Sequence, residues 1–272
     1  RFYEISNQER ADNISTSTNS QSAVKARDLR SNDKYVLAMK KSYEQKFTDG
    51  YFITKRGETA DPVKYNTAHV VDLTTLGKLM IAWHSQRPTM AYSESRIFDK
   101  YFDQLFHREY APEKVQALTE LFNAVYGKWD KANPLGFNEA LFVLKSYGPY
   151  HHLFTVSILF SEINKMQDLV PNPAIALQKL KDSNLTDTVV ELAGQCLNMA
   201  FEIAAQDATQ NNKVFSPQNW SKAKASLRDI RTALKQYLMS AKMMPGGKDM
   251  IDNLNKGLNM TNVDFESRWS AD

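Results

Sequence analysis

Tyr150-His151-His152-Leu153-Phe154-Thr155-Val156-Ser157-Ile158-Leu159-Phe160-Ser161-Glu162-Ile163-Asn164-Lys165 is too apolar to lie on a surface. With residues 137–147, from which Gly148-Pro149 separates it, it reads as an apolar helical pair at the centre of a core. Upstream, Pro112 opens a helix with Val115, Leu118, Leu121, Phe122 and Val125 inward, and residues 93–107 read as one helix with a wide apolar stripe. Asp72 caps a helix carrying Leu73, Leu76, Leu79, Met80 and Trp83, which Pro88 closes. Before it, Tyr51-Phe52-Ile53-Thr54-Lys55 is aromatic and β-branched, so it reads as a strand, with Ala68-His69-Val70-Val71 as its hairpin partner. Asp33 or Asn32 caps a helix to about residue 47, with Val36, Met39, Tyr43 and Phe47 on one face.

Downstream of the core pair come a short helix over 174–182 and a long one to about residue 206. Ser216-Pro217 then starts a helix over 217–243, in which Trp220, Ala223, Leu227, Ile230, Leu234, Tyr237 and Ala241 recur at heptad-like spacing. Pro245-Gly246-Gly247 stops it. The expected fold is mainly α, a multi-helix domain with a minor two-stranded β element near residues 51–71. Residues 1–110 hold a polar junction, the hairpin and helices; residues 111–247 form a helical bundle. Residues 248–272 read as a loosely ordered tail, from which Phe265 and Trp269 can dock.

Among the 272 residues, 42% are hydrophobic and 24% charged, a globular balance and not a disordered one. The net charge of +3 permits nucleic-acid contact without demanding it, because local clustering decides. The single cysteine, Cys196, excludes an internal disulfide and a Cys-rich zinc site and fits a reducing compartment. No apolar run reaches the roughly 18–20 residues that cross a bilayer, so no membrane partner is expected. The start at Arg1-Phe2-Tyr3-Glu4 lacks an apolar signal core and an initiating Met, which predicts a cytoplasmic piece of a longer protein.

Nucleophile-elbow, P-loop and dinucleotide glycine patterns are absent. His151 and His152 are neighbours, and neighbours on a helix point about 100° apart, so they do not form a metal pair. His69, His84 and His107 have no acidic partner at ligand spacing. Glu44-Gln45-Lys46 matches half of a metal-dependent nuclease pattern, but it lies on a predicted helix with no strand-borne aspartate before it. No catalytic residue, metal ligand or cofactor is nominated. Basic residues do cluster. Lys25, Arg27, Arg30 and Lys34 follow a polar segment at 18–33, and Lys55 and Arg56 end the strand. On the heptad helix Lys224, Arg228, Arg231, Lys235 and Lys242 share a stripe beside the seam, with Asp229 the only acid nearby. These are the candidate phosphate contacts; the alternative for each cluster is a solvated face.

Ser17-Thr18-Asn19-Ser20-Gln21 with Arg27-Asp28-Leu29-Arg30-Ser31-Asn32-Asp33, followed by Gly50-Tyr51-Phe52-Ile53-Thr54-Lys55-Arg56-Gly57-Glu58, resembles the abortive-infection phage-resistance (AIPR) family. Its members carry an ATNSQ…RDLRSND run and a YYERKRGE-like strand. Ser95-Arg96-Ile97-Phe98-Asp99-Lys100-Tyr101-Phe102 is similar to the family's next block, and the good match covers roughly residues 11–106. The resemblance implies a mixed α/β region upstream, in some members a nuclease-like domain, and for this chain a C-terminal portion without catalytic residues. It also makes residues 18–33 a structured junction. There the Asn19 and Gln21 amides satisfy backbone groups, and Arg27, Asp28 and Arg30 tie the upstream region to the helices.

The expected role is a helical interaction or sensor module of a bacterial anti-phage protein. Its partners are the upstream region of the same protein, a second copy through the helical faces, and nucleic acid. The alternatives are a nucleic-acid-binding module working through the basic clusters and a metal-dependent nuclease.

Overall fold

The computed structural model describes residues 26–270. In chain order they form α1 (Ala26–Arg30), α2 (Lys34–Lys46), β1 (Tyr51–Ile53), β2 (Val70–Asp72), α3 (Leu73–Trp83), α4 (Glu94–Asp99), α5 (Phe102–Phe106), α6 (Pro112–Gly127), α7 (Glu139–Phe142) and α8 (Gly148–Ile163). There follow β3 (Leu169–Pro171), α9 (Pro173–Asp182), α10 (Thr186–Gln210), α11 (Pro217–Lys222), α12 (Lys224–Ala241), α13 (Gly247–Gly257) and β4 (Phe265–Ser267). The fold is mainly α, with two short two-stranded sheets among the described residues.

Helix α8 is the axis. Every residue from Gly148 to Ser161 is buried, and α3, α6, α10 and α12 pack around it. Pro149 sits in its first turn, where the missing N–H has no partner to lose. Gly148 is required by close approach: a Cβ there would stand 2.0 Å from Cη2 of Trp129. The Trp129 ring is itself stacked on Phe137 at 4.4 Å. Thr155, His152 and His151 each have a partner inside the core, although His151 Nε2 is buried without one among the described residues. Thr155 Oγ1 donates to the His151 carbonyl at 2.8 Å. His152 Nε2 donates to the Val190 carbonyl at 2.6 Å, and its Nδ1 accepts from Trp129 Nε1 at 3.2 Å. His151 Nδ1 donates to the Tyr147 carbonyl at 3.1 Å. Burial pushes both imidazoles down to about 4, so they are neutral structural groups.

The caps act as their sequence suggests: Asp33 accepts from Tyr35 N, Asp72 from Thr75 N and Ser216 from Asn219 N. Several elements differ from the sequence reading. The β1–β2 pair is parallel, with Tyr51 beside Val70 and Ile53 beside Asp72, so it is not a hairpin. Its connection crosses back because Asn66 N bonds to Asp49 O at 2.8 Å, returning the chain to the start of β1. Residues 93–107 split into α4 and α5, letting Phe98, Phe102 and Phe106 pack on one another. Of residues 137–147 only α7 is helical. The 217–243 helix breaks at Ala223, whose backbone is extended (φ −85°, ψ 140°). The break sets Trp220 edge-on to Phe201 and brings its Nε1 to Asp229 at 3.1 Å.

The heptad seam is consumed within the chain. Ile230, Leu234 and Ala241 are buried, and α12 packs on α10 and α8. Residues after 248 form α13 and β4 in place of a loose tail, and β4 pairs antiparallel with β3. One apolar cluster runs from Val36 to Phe265, across the boundaries expected at 110 and 247. No described helix is long and apolar enough to cross a membrane.

Candidate nucleic-acid interface

The site is built where α3 ends, at the side of α8 and the start of α12. After Trp83 the chain turns sharply, and Gln86 adopts a left-handed backbone (φ 54°) that side chains other than glycine rarely take. The conformation is held by its own amide. Nε2 donates to the Trp83 carbonyl at 2.7 Å and to Ser157 Oγ on α8 at 2.9 Å. The remaining amide oxygen accepts from Arg231 Nη2 at 2.9 Å. The Arg231 guanidinium also lies over the Phe154 ring, 5.1 Å from its centre. Burial, with the neighbouring Arg268 charge, brings the Arg231 pKa down to about 10 against the opposing pull of Glu162 and Asp168. It stays a cation at neutral pH, fixed in direction by groups that carry no negative charge.

A cavity of about 540 Å³ opens in front of it. Arg87, Lys222, Lys224, Arg231 and Arg268 line it, and none of its described lining residues is acidic. Among the described residues, the ion pairs of α12 are Arg228–Asp229 and Lys235–Glu162, both at 3.9 Å. Among the described residues, Lys222, Lys224, Arg231 and Arg268 take part in no ion pair. Trp269 closes one wall. It stacks on His84 at 4.0 Å, its backbone N donates to the His84 carbonyl, and Arg108 lies 3.9 Å over its ring. The Arg268 guanidinium donates to the Gln167 carbonyl.

Of the α12 residues nominated from sequence, Lys224 and Arg231 meet in this cavity. Arg228 is exposed on the helix, and Lys235 lines a neighbouring cavity of about 240 Å³ with Glu162 and Asp168, a cavity that Arg231 and Arg268 also border. The earlier clusters stand apart. Arg27 is ion-paired with the cap residue Asp72 at 2.6 Å, and Arg30 lies 4.5 Å over Phe102, so both are spent on holding α1 to the helices. Asp28 lies on α1 beside them. Lys55 and Arg56 are exposed on the turn after β1. Asn19, Gln21 and Lys25 lie outside the described residues.

Glu44 does not stand free for a metal: it accepts from Phe52 N at 3.1 Å, and Lys46 pairs with Glu113 at 2.8 Å. His69, His84 and His107 do meet carboxylates, Asp49 at 2.8 Å, Glu266 at 3.7 Å and Asp33 at 3.2 Å, which their sequence spacing did not suggest. Among the described residues no three His, Cys, Asp or Glu side chains are grouped closely enough to share a metal ion. Sequence reasoning missed Ser85, Gln86, Arg87, Lys222 and Arg268. Lys222 was within reach, two residues before Lys224 across the Ala223 break; the others come from distant segments and carry no local pattern.

The family described as AIPR protein matches residues 1–242. No curated protein and no solved structure matches the chain. The family match extends well beyond the residues 11–106 that carry the resemblance by eye; it takes in α8, Gln86 and all of α12, and stops before Arg268 and Trp269. The chain therefore belongs to the AIPR family of abortive-infection, anti-phage defence proteins.

Proposed function

We propose that this chain is a sensor module of its defence protein, acting by binding and not by catalysis, and that it binds nucleic acid along the N-terminal half of α12. One observation carries the reading. In a chain whose net charge is only +3, five cations line one cavity and no described lining residue is acidic. Clustered cations repel one another and weaken a fold, so such a cluster is better suited to a ligand with phosphates than to stability. Arg228, exposed one turn along the same helix, extends the footprint beyond the cavity.

The test is fluorescence anisotropy with single- and double-stranded oligonucleotides in low and moderate salt. Affinity falls steeply with salt, and changing Lys224 and Arg228 to Glu lowers the salt slope by about one per lost phosphate contact. No binding of any strand in low salt contradicts the reading.

A protein partner is the second reading. Met239, Met243 and Met244, at and just beyond the C-terminal end of α12, are 70%, 90% and 64% exposed, and adaptable thioether side chains suit a contact surface. Light scattering across a concentration series reports a second copy there; a mass that stays monomeric removes the homo-oligomer form of this reading.

A further inference from the structure

We propose that the Arg231 cavity is a receptor for a terminal phosphate on a nucleoside, borne either by the end of a strand or by a free nucleotide. The inference rests on the nucleic-acid reading and narrows it to one chemical group.

Four features converge. First, Arg231 is pre-aimed. Gln86 takes one of its N–H groups and Phe154 supports its face, which leaves other guanidinium donors for a planar, two-pronged contact with phosphate oxygens. Second, α12 begins at the cavity without a cap. Ala223 offers no side-chain bond to the first-turn N–H groups, the first turn holds no acid, and Lys222 and Lys224 flank it. An open helix N-terminus of that kind favours an anion.

Third, Ser85 lines the same cavity. It is 6% exposed, and its Oγ is buried without a hydrogen-bond partner among the described residues. A buried hydroxyl without a partner costs stability unless something arrives to bond it. It belongs neither to α12 nor to the charge cluster, and it gives the cavity wall a hydroxyl with hydrogen-bonding capacity to spare. Fourth, the cavity's size of about 540 Å³ suits one nucleotide and not a length of strand. Met90 and Leu227 supply apolar wall for a sugar or base, whereas the Trp269 ring is already engaged by His84 and Arg108.

The charge count separates a terminal phosphate from an internal one. A phosphodiester carries one negative charge and must leave a cavity by two exits. A terminal phosphate carries between one and two at neutral pH and needs one. Lys222, Lys224, Arg231 and Arg268, free of ion pairs among the described residues, match the more charged end group.

The experiment titrates the protein with one oligonucleotide in 5′-phosphate and 5′-hydroxyl forms, and with adenosine 5′-monophosphate as competitor and as sole ligand. The expected result is a preference for the phosphorylated end of about tenfold or more, lost in Arg231→Gln and reduced in Lys224→Ala. Lys224 is exposed, so its variant keeps the test decisive if the Arg231 variant fails to fold. Competition by the mononucleotide assigns the site to free nucleotides; its failure to compete assigns it to strand ends. Equal binding of both strand forms with no mononucleotide binding overturns this proposal and leaves the nucleic-acid reading intact. Mononucleotide binding without strand binding overturns the nucleic-acid reading and keeps the cavity's assignment. Absence of all binding overturns both.

Discussion

Gln86 and Arg231 lie 145 residues apart in sequence and meet at 2.9 Å, amide oxygen to guanidinium, across the side of α8. The amide is itself fixed by Trp83 and Ser157, so the direction of the Arg231 charge is set by the same buried side chain that stabilises a left-handed backbone turn. Position and stability are therefore coupled at Gln86. Gln86→Ala is expected to destabilise the fold by about 1–3 kcal/mol and to weaken nucleic-acid binding several-fold. Gln86→Gly loses the same bonds but relieves the backbone by roughly 1 kcal/mol, so it should melt above the Ala variant. Equal melting temperatures for the two would remove the strain from the account.

Gly148 tests the close approach at the head of α8. A Cβ there would overlap the Trp129 ring, which is 3% exposed and pinned between Phe137 and His152. Gly148→Ala should cost about 1–3 kcal/mol despite alanine's better helix propensity. A variant that melts at or above the parent would show that Trp129 can shift freely.

The buried histidines set the acid limit of the fold. His151 and His152 have pKa values depressed from 6.5 to about 4, and burial pushes His84 well below its usual value too. The unfolded chain takes up these protons first. Their contribution is complete above pH 6.5 and is lost as the pH falls toward about 4, at up to about 1.4 kcal/mol per pH unit per histidine. Melting temperature should drop steadily between pH 7 and pH 5. A flat profile over that range would mean that these rings are not held neutral.

Glu58 organises the turn after β1. Its carboxylate accepts from Thr54 N and Lys55 N at 2.9 Å each, from the Tyr51 hydroxyl at 2.5 Å and from Lys40 at 3.2 Å. Burial opposes its ionisation, yet these donors outweigh burial and hold its pKa at about 2. Glu58→Gln keeps the shape and loses the charge; a loss of about 1 kcal/mol is expected, read by chemical denaturation. No change in the midpoint would assign the turn's stability elsewhere.

The core was legible because α8 carries its apolar side chains all round, a pattern that surface helices do not show. The strand segments were legible from Tyr51, Phe52, Val70 and Val71, but their orientation was not. It is set by Asn66 and Asp49, which meet only after the connection has folded back. The break at Ala223 was hidden because the apolar spacing runs through it unchanged; tertiary packing of Trp220 on Phe201 outweighs the local preference for a continuous helix. At the candidate site, Lys224 and Arg231 stood out as part of a stripe. Gln86, Ser85 and Arg268 did not, because nothing local marks a residue whose role depends on a neighbour from another part of the chain.

The central claim is that α12, and not the other basic clusters, carries the nucleic-acid contact. The most direct measurement compares the affinity of one oligonucleotide in low salt for three proteins: the parent, Lys224→Glu with Arg228→Glu, and Lys55→Glu with Arg56→Glu. All four lysines and arginines are exposed, so folding is not at issue. The α12 pair should lose about tenfold or more, and the Lys55–Arg56 pair should stay within about twofold of the parent. An equal loss in both pairs, a larger loss in the Lys55–Arg56 pair, or no binding by the parent would contradict it.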